Sequence, residues 1–583
     1  MAYILFFKEL WRYAEGCRWK IALALFLHVI SQLATIVQPL IFANVLNVLQ
    51  TQPDDMISEI AWWAGAWIVS FIWFNVFHRV GCYFHFGAAY KTKQNFINKY
   101  YHAATELPLK WHTDHHSGDT INRINRAADS IHWFAVGLAS HTEYFMLIWG
   151  PLITLSILSW PVALVAVGVI LLSLLIMRLF DTKLVALYHS LNERDHKVAA
   201  TLFDYISNIK TIITLRLGRR TEKELNHRIE QGFKPYMQAE TVVNQFKWLT
   251  VSVMNLILEV GITFLYIFLQ IAGKGVLLAG NVAAVYQYMR QLNSTFFKVA
   301  GWYQDLLQKT TDFQSAKTIL EAWEKVDAKG LEKLESWNDI KISNLDFEYE
   351  AGKKTLQDIG LSFSKGEKIA LVGESGSGKS SLMAIMRGLY EPQSVNLNLD
   401  SQALNTLLPL FSTTTLIPQE PEIFENTIGY NITVGIDYPE NEVLEATRLA
   451  CFDRVLDRLP NGLDTDVREK GVTLSGGERQ RLALARGMLA AKNSSIILMD
   501  EPTSSVDAHN ELSIYENIFK HFADCTVISS IHRLHLLGKF DQVVVMDQGK
   551  IVQMGTFKEL KDQSGLFKIL WDKYQESSKP NNR

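Results

Sequence analysis

Between residues 21 and 300 the chain repeatedly runs apolar for some twenty residues at a stretch, and this pattern constrains its fold more than any other feature. A helix rises about 1.5 Å per residue, so about 20 mostly apolar residues cross the roughly 30 Å hydrocarbon layer of a bilayer. Six segments qualify: 21–49, 57–79, 141–159, 160–179, 246–272 and 276–300. The third and fourth meet at Ser159-Trp160-Pro161. Proline stops one helix and opens the next, so a tight hairpin is expected there. Residues 1–20 carry no signal-peptide pattern. They read as an amphipathic interfacial helix with Phe6, Phe7, Leu10, Trp11 and Tyr13 on its buried side.

Lysine and arginine placement orients the spans. The connection 50–56 has two aspartates and no basic residue, whereas 81–133 holds Lys91, Lys93, Lys99, Lys110, Arg123 and Arg126. The connection 178–247 is also basic, with Lys197, Lys210, Arg216, Arg219 and Arg220 among others. Both long connections therefore face the cytoplasm, together with both termini. Each continues the helical apolar spacing of the span before it. Helices extending below the membrane and turning back at short transverse segments are expected, near 112–119 and 203–210. His112, His115 and His116 at the first turn lack acidic or cysteine ligands at a metal spacing and read as a solvated turn.

Cys17, Cys82, Cys451 and Cys525 lie far apart and read as free thiols in a reducing compartment. A net charge of −3 argues against general nucleic-acid binding, which needs a basic surface.

After residue 321 the chain reads as an α/β protein. The short apolar strand Lys368-Ile369-Ala370-Leu371-Val372 runs directly into Gly373-Glu374-Ser375-Gly376-Ser377-Gly378-Lys379-Ser380 and a helix beginning at Ser381. This is a phosphate-binding loop in its required strand–loop–helix setting. Its glycines let backbone N–H groups converge on phosphate, and the helix N-terminus adds a favourable dipole. Lys379 is expected to reach the β- and γ-phosphates of ATP, and Ser380 to ligate Mg²⁺. A second apolar strand, Ile496-Ile497-Leu498-Met499, ends in Asp500-Glu501. Asp500 is placed to hold the Mg²⁺ shell and Glu501 to polarise the attacking water. Between them, Leu474-Ser475-Gly476-Gly477-Glu478 precedes a helix and forms another anion-binding N-terminus.

Here the chain resembles the ATP-binding-cassette (ABC) family, whose signature is Leu-Ser-Gly-Gly. The other family marks follow in order: Tyr349 as the adenine-stacking aromatic, Gln419 as the Q-loop, Ser504-Ser505-Val506-Asp507 as the D-loop and His532 as the switch histidine. The resemblance implies catalytic roles for Glu501, His532 and Gln419. It implies Mg²⁺ contacts from Ser380, Gln419 and Asp500. ATP contacts are implied for Tyr349, for 373–381 (Gly373, Glu374, Ser375, Gly376, Ser377, Gly378, Lys379, Ser380, Ser381), for Ser475, Gly476, Gly477 and Glu478, and for Asp507. Glu478 departs from the commoner glutamine, and Ser505-Val506 from alanine-leucine.

Six spans ahead of one ATPase resemble the exporter type of the family. The fold class expected is an all-α six-helix transmembrane domain followed by a cytosolic α/β P-loop NTPase with a RecA-like core and a helical subdomain. The boundaries expected are 1–320 for the membrane domain, 321–339 for a linker, 340–572 for the ATPase and 573–583 for a polar tail. The resemblance further implies a homodimer with two composite ATP sites. It would export a small amphipathic substrate (drug, lipid or peptide) by alternating access. The setting expected is the lipid bilayer of a bacterial inner membrane. An ATP-gated channel or binding protein, and an importer on the exporter scaffold, stand as alternatives. Glu259, acidic and mid-span, is a candidate for the substrate path, with Arg290 or Asn255 as possible partners.

Overall fold

The computed structural model describes residues 2–115, 117–242, 248–273, 275–326, 336–350, 352–400, 402–467 and 474–578. His116 lies outside them, as does the Asn255 side chain. The chain divides into two compact units, Met1–Leu107 with Asp114–Val326, and Pro108–Thr113 with Asp327–Arg583.

The first unit is entirely helical among its described residues. Helices Arg18–Thr51, Met56–Glu106, Leu138–Leu158, Trp160–Ser207, Trp248–Ala272 and Ala279–Val326 cover the six apolar segments. Three of them, Arg18–Thr51, Met56–Glu106 and Trp248–Ala272, are long and apolar enough by composition to cross a membrane. Ser159 is extended between the third and fourth helices and Pro161 sits in the first turn of the fourth, as the proline hairpin requires. The fifth is interrupted by a π-turn over Ile257–Gly261. The sixth continues past residue 320 to Val326.

The long connections are helical and break between Asp114 and Ser117 and at Asn208, inside the two ranges expected, with a further stop after Glu106 in the first. The second helix stops at Glu106 because Pro108 biases Leu107 to extended backbone, and the short helix Leu109–Asp114 follows. On the other side the break falls at Asn208, before the short helix Ile209–Thr214. The N-terminal helix Ala2–Tyr13 buries Phe6, Leu10 and Tyr13 against protein. Phe6 stacks on Phe134 at 5.2 Å and meets Phe313 at 5.5 Å. Trp11, expected on the buried side, is exposed.

The second unit holds strands β1 (Asp339–Glu348), β2 (Lys354–Ser364), β3 (Lys368–Val372), β4 (Ser394–Leu399), β5 (Gln402–Leu404), β6 (Thr414–Ile417), β7 (Asn426–Thr427), β8 (Asp466–Val467), β9 (Ile496–Met499), β10 (Thr526–Ser530), β11 (Gln542–Asp547) and β12 (Lys550–Gly555). A six-stranded sheet runs β12-β11-β3-β10-β9-β6, parallel except for β12. A four-stranded antiparallel sheet runs β2-β1-β4-β5. Strands β3, β9 and β10 are buried along their whole length, which is why they read as unbroken apolar or small-residue runs. The carboxyl ends of β3 and β9 in this sheet are where a doubly wound fold binds ligand. The last helix, Leu566–Ser578, continues past residue 572.

Candidate active site

The loop after β3 has backbone that most residues could not adopt. Gly376 and Gly378 sit at φ +83° and +104°. At Gly378 a Cβ would also come within 2.7 Å of the Leu356 side chain, so only glycine fits. Gly378 opens the helix Lys379–Arg387. Lys379 is buried and its ammonium donates to the carbonyls of Gly373 (2.9 Å) and Glu374 (3.0 Å). Burial lowers its pKa, while the charges of Glu501 and Asp500 act to raise it, so both carboxylates lie within electrostatic reach of the loop. Ser380 and Ser381 occupy the first turn of that helix, and the Tyr349 hydroxyl donates to Ser381 Oγ at 3.2 Å. The Tyr349 ring is exposed, and is held edge-on by Phe347 and Tyr390.

At the end of β9 the expected catalytic side chains meet on one carboxylate. Gln419 Nε2 donates to Glu501 Oε2 at 2.7 Å, and His532 Nε2 lies 2.5 Å from Glu501 Oε1. An ionised carboxylate only accepts, so His532 carries its proton on Nε2 in this arrangement. Glu501 itself sits at φ +44°, a strained conformation for a residue with a side chain.

Ser530, absent from the motif reading, holds the pair. Its hydroxyl accepts from the Glu501 N–H (2.8 Å) and donates to Asp500 Oδ1 (2.8 Å). It is buried at the end of β10, beside β9. Ser530→Ala removes a bond to a buried carboxylate, which is worth about 1.5–3 kcal/mol. The expected result is a fall of about 10- to 100-fold in steady-state ATP turnover with ATP affinity spared. Turnover unchanged in the variant would remove the bridge from the mechanism.

The second glycine-rich segment is built as a helix cap. Ser475 caps Gly476–Ala490 in a reciprocal box: Glu478 N–H donates to Ser475 Oγ, and the Ser475 N–H donates to Glu478 Oε2 at 2.8 Å. Glu478 Oε2 also accepts from the Ser475 hydroxyl, and Glu478 Oε1 pairs with Arg458 at 2.7 Å. Partial burial pushes this carboxyl upward, but the Ser475 bonds and Arg458 outweigh it and hold it below the usual range. The departure from glutamine thus serves the cap and gains an arginine. Gly477 leaves room for the Ser505 carbonyl, which a Cβ would approach to 2.7 Å.

Gln480, one turn on, donates to Ser504 Oγ and accepts from the Ser505 N–H, each at 2.7 Å, fixing the 504–507 loop against this helix. Asp507 then caps the helix Ala508–His521 through the Asn510 N–H, which lowers its pKa. Buried Glu511 ties the same region together, accepting from Thr503 (2.7 Å) and Arg533 (2.9 Å). Gln480, Glu511 and Ser530 carry no motif; each is found only through its contacts.

Ser380, Gln419 and Asp500 offer a hydroxyl, an amide and a carboxylate, the hard oxygen set that Mg²⁺ takes. Asp500 is buried with one oxygen held by the Ser530 hydroxyl, which fixes the carboxylate for a cation.

In the helical unit, Glu259 lies in the π-turn and accepts from Asn293 Nδ2 on the sixth helix. Its partner is therefore Asn293 and not Arg290.

Comparison with known proteins agrees with this architecture. The ABC transporter transmembrane region family matches residues 21–296, and the ABC transporter family matches 356–504. The mitochondrial iron-sulfur clusters transporter ABCB7 of Oryzias latipes is 30% identical over 66% of this chain and 52% of its own. The mitochondrial iron-sulfur clusters transporter ATM1 of Kluyveromyces lactis is 26% identical over 83% of this chain and 68% of its own. Heavy metal tolerance factor 1 of Caenorhabditis elegans is 29% identical over 65% of this chain and 48% of its own. The chain spans about half the length of most of the curated relatives it matches. The solved structure of a bacterial Atm1-family ABC exporter with ATP bound superposes with a TM-score of 0.79, covering 96% of this chain and all of the other at 21% identity. With a transporter transmembrane region and a transporter ATPase region fused in this order, the chain belongs to the ABC transporter family.

Proposed function

We propose that the protein hydrolyses ATP to drive export across a membrane, working as a homodimer whose two sites each combine the 373–380 loop of one chain with Ser475–Gly477 of the other. The observation that carries this is the convergence of Gln419, His532 and Glu501 beside the loop of Lys379, in a chain with three described helices long and apolar enough to cross a membrane. Each chain supplies one loop and one capped glycine segment, and Glu501, His532 and Gln419 are all present, so two identical chains complete two competent sites. The units we assign are 1–320 and 340–572, with 321–339 between them and 573–583 as a tail.

In the reaction, backbone N–H groups of 373–380 and Lys379 hold the β- and γ-phosphates. Tyr349 stacks on adenine. Mg²⁺ bound at Ser380, Gln419 and Asp500 would neutralise charge developing on the phosphate oxygens. Glu501 keeps a free lone pair on each oxygen and takes the proton of the attacking water. His532 and Gln419 fix its orientation. The partner's Ser475 hydroxyl and glycine N–H groups bind the γ-phosphate only when the dimer closes, and this differential binding is what moves the equilibrium. The short helices at 109–114 and 209–214 would pass closure to the membrane domain.

For cargo, the relatives named for iron-sulfur cluster transport and heavy-metal tolerance favour a metal-related solute over the amphipathic drug, lipid or peptide expected from sequence. The bacterial cell membrane is the location we propose; the mitochondrial relatives make an organellar membrane the rival. ATP-dependent uptake into inverted vesicles, compared between metal–thiol complexes and a panel of amphiphiles, tests both direction and class. Uptake without ATP, or equal uptake by Glu501→Gln vesicles, would show a passive pore instead.

Glu259, facing Asn293 between the fifth and sixth helices, is proposed to line the path and to favour cationic or protonatable cargo. Glu259→Gln keeps an acceptor for Asn293 and removes only the charge. The expected result is normal basal ATPase activity with stimulation by cationic compounds reduced and stimulation by neutral ones kept. Identical stimulation profiles in the two proteins would make Glu259 a purely structural partner.

A further inference from the structure

The first two spanning helices hold a cluster of metal-ligating side chains. His78, Cys82 and His85 on Met56–Glu106 are spaced i, i+4, i+7 and so share one helix face. His28 on Arg18–Thr51 meets that face, with its Nε2 2.9 Å from His85 Nδ1. His78 Nε2 lies 3.5 Å from Cys82 Sγ. One ligand atom from each of His28, Cys82 and His85 can be chosen so that all three lie within 4.8 Å of one another. The His28 ring packs at 5.3 Å from His78 and 5.1 Å from His85.

Three features separate this cluster from ordinary packing of polar groups. Gly81 sits inside it, where a Cβ would come within 2.8 Å of the His28 ring, so the glycine admits the imidazole against the second helix. His28 and His85 are fully buried, away from bulk water. The observed spacings are also close to those of a tetrahedral shell, which would form once the His28–His85 hydrogen bond opens. Zn²⁺ bonds of about 2.05 Å to nitrogen and 2.3 Å to sulfur give edges of about 3.3 Å between nitrogens and about 3.5 Å between nitrogen and sulfur.

We propose that His28, Cys82 and His85 bind one soft or borderline transition-metal ion of the Zn²⁺ type and thereby clamp the first two spanning helices together. Imidazole with thiolate selects such ions over Mg²⁺ or Ca²⁺, which take oxygen. Each imidazole ligates neutral, the proton between His28 and His85 moving to the other ring nitrogen of its own histidine, and the Cys82 thiol releases its proton as the metal enters. Spacing between cysteines does not reveal it, because the thiol pairs with histidines, one of them on another helix. Its ligands are none of the residues assigned to ATP.

The test uses the full chain, purified through a histidine-free tag and stripped with chelator. Metal content after equilibration with Zn²⁺ is expected to be one ion per chain, with affinity at least about 100-fold weaker in Cys82→Ser and in His85→Gln. Co²⁺ is expected to give the absorption of a four-coordinate ion with a thiolate charge-transfer band. That band should persist when Cys17, Cys451 and Cys525 are all changed to serine, and vanish in Cys82→Ser. The triple-serine protein keeps every proposed ligand, so its spectrum decides the matter even if a ligand variant fails to fold. Absence of the thiolate band there, or Zn²⁺ content unchanged in Cys82→Ser and His85→Gln, would reduce the cluster to a hydrogen-bonded histidine pair and overturn the proposal.

Discussion

Glu501→Gln is expected to bind Mg-ATP with near-normal affinity and to lose steady-state hydrolysis by about 10²- to 10⁴-fold, the usual contribution of a positioned general base. Glutamine keeps the side-chain shape and can still accept from one neighbour, but an amide does not take a proton from water. The site is poised on this one charge. Both carboxylate oxygens are held, by Gln419 and His532, and the backbone N–H is anchored on Ser530. The variant should therefore accumulate in the closed, ATP-bound dimer, visible as trapped nucleotide after rapid gel filtration. Retention of most wild-type turnover would take Glu501 out of the proposed chemistry.

The nucleotide site was legible in the sequence wherever its function depends on backbone. A loop that needs φ near +83° and +104° must spell glycine at 376 and 378, and a strand buried on both faces reads apolar, as β3 does after its first residue, Lys368. Such demands leave contiguous marks. What stayed hidden were contacts made by ordinary side chains across long separations. Ser530 reaches back to Asp500 and Glu501 only because β10 lies beside β9, and nothing about one serine announces this. Gln480 and Glu511 are hidden for the same reason.

In the helical unit the six segments were readable from length and apolarity, whereas rotation of one helix against another was not. The partner of Glu259 therefore proved to be Asn293, about one turn of helix from the Arg290 expected. The His28 cluster depends on the register of two helices and was invisible for the same reason. The further stop after Glu106 follows from Pro108, since the residue before a proline is a readable helix stop.

The proposed composite nature of two ATP sites gives the sharpest test, because cis and trans assembly predict opposite outcomes. Lys379→Ala removes the buried ammonium of one half-site, and Ser475→Arg fills the other with a long cation. In a heterodimer of the two single variants, trans assembly puts both defects into one site and leaves the other intact. The loop of the Ser475→Arg chain then meets the unaltered glycine segment of the Lys379→Ala chain. Up to about half of wild-type turnover is expected if the sites fire independently, and less if they are coupled. When both changes are instead placed on one chain and paired with wild type, each site contains one defect, and turnover should fall to the background of the inactive homodimers. Cis assembly reverses both results, because every chain then owns a whole site. Isolating each heterodimer through two different tags and measuring its ATPase activity separates the cases. Substantial turnover from the double variant paired with wild type would show that the 373–380 loop and Ser475 do not meet across a dimer interface.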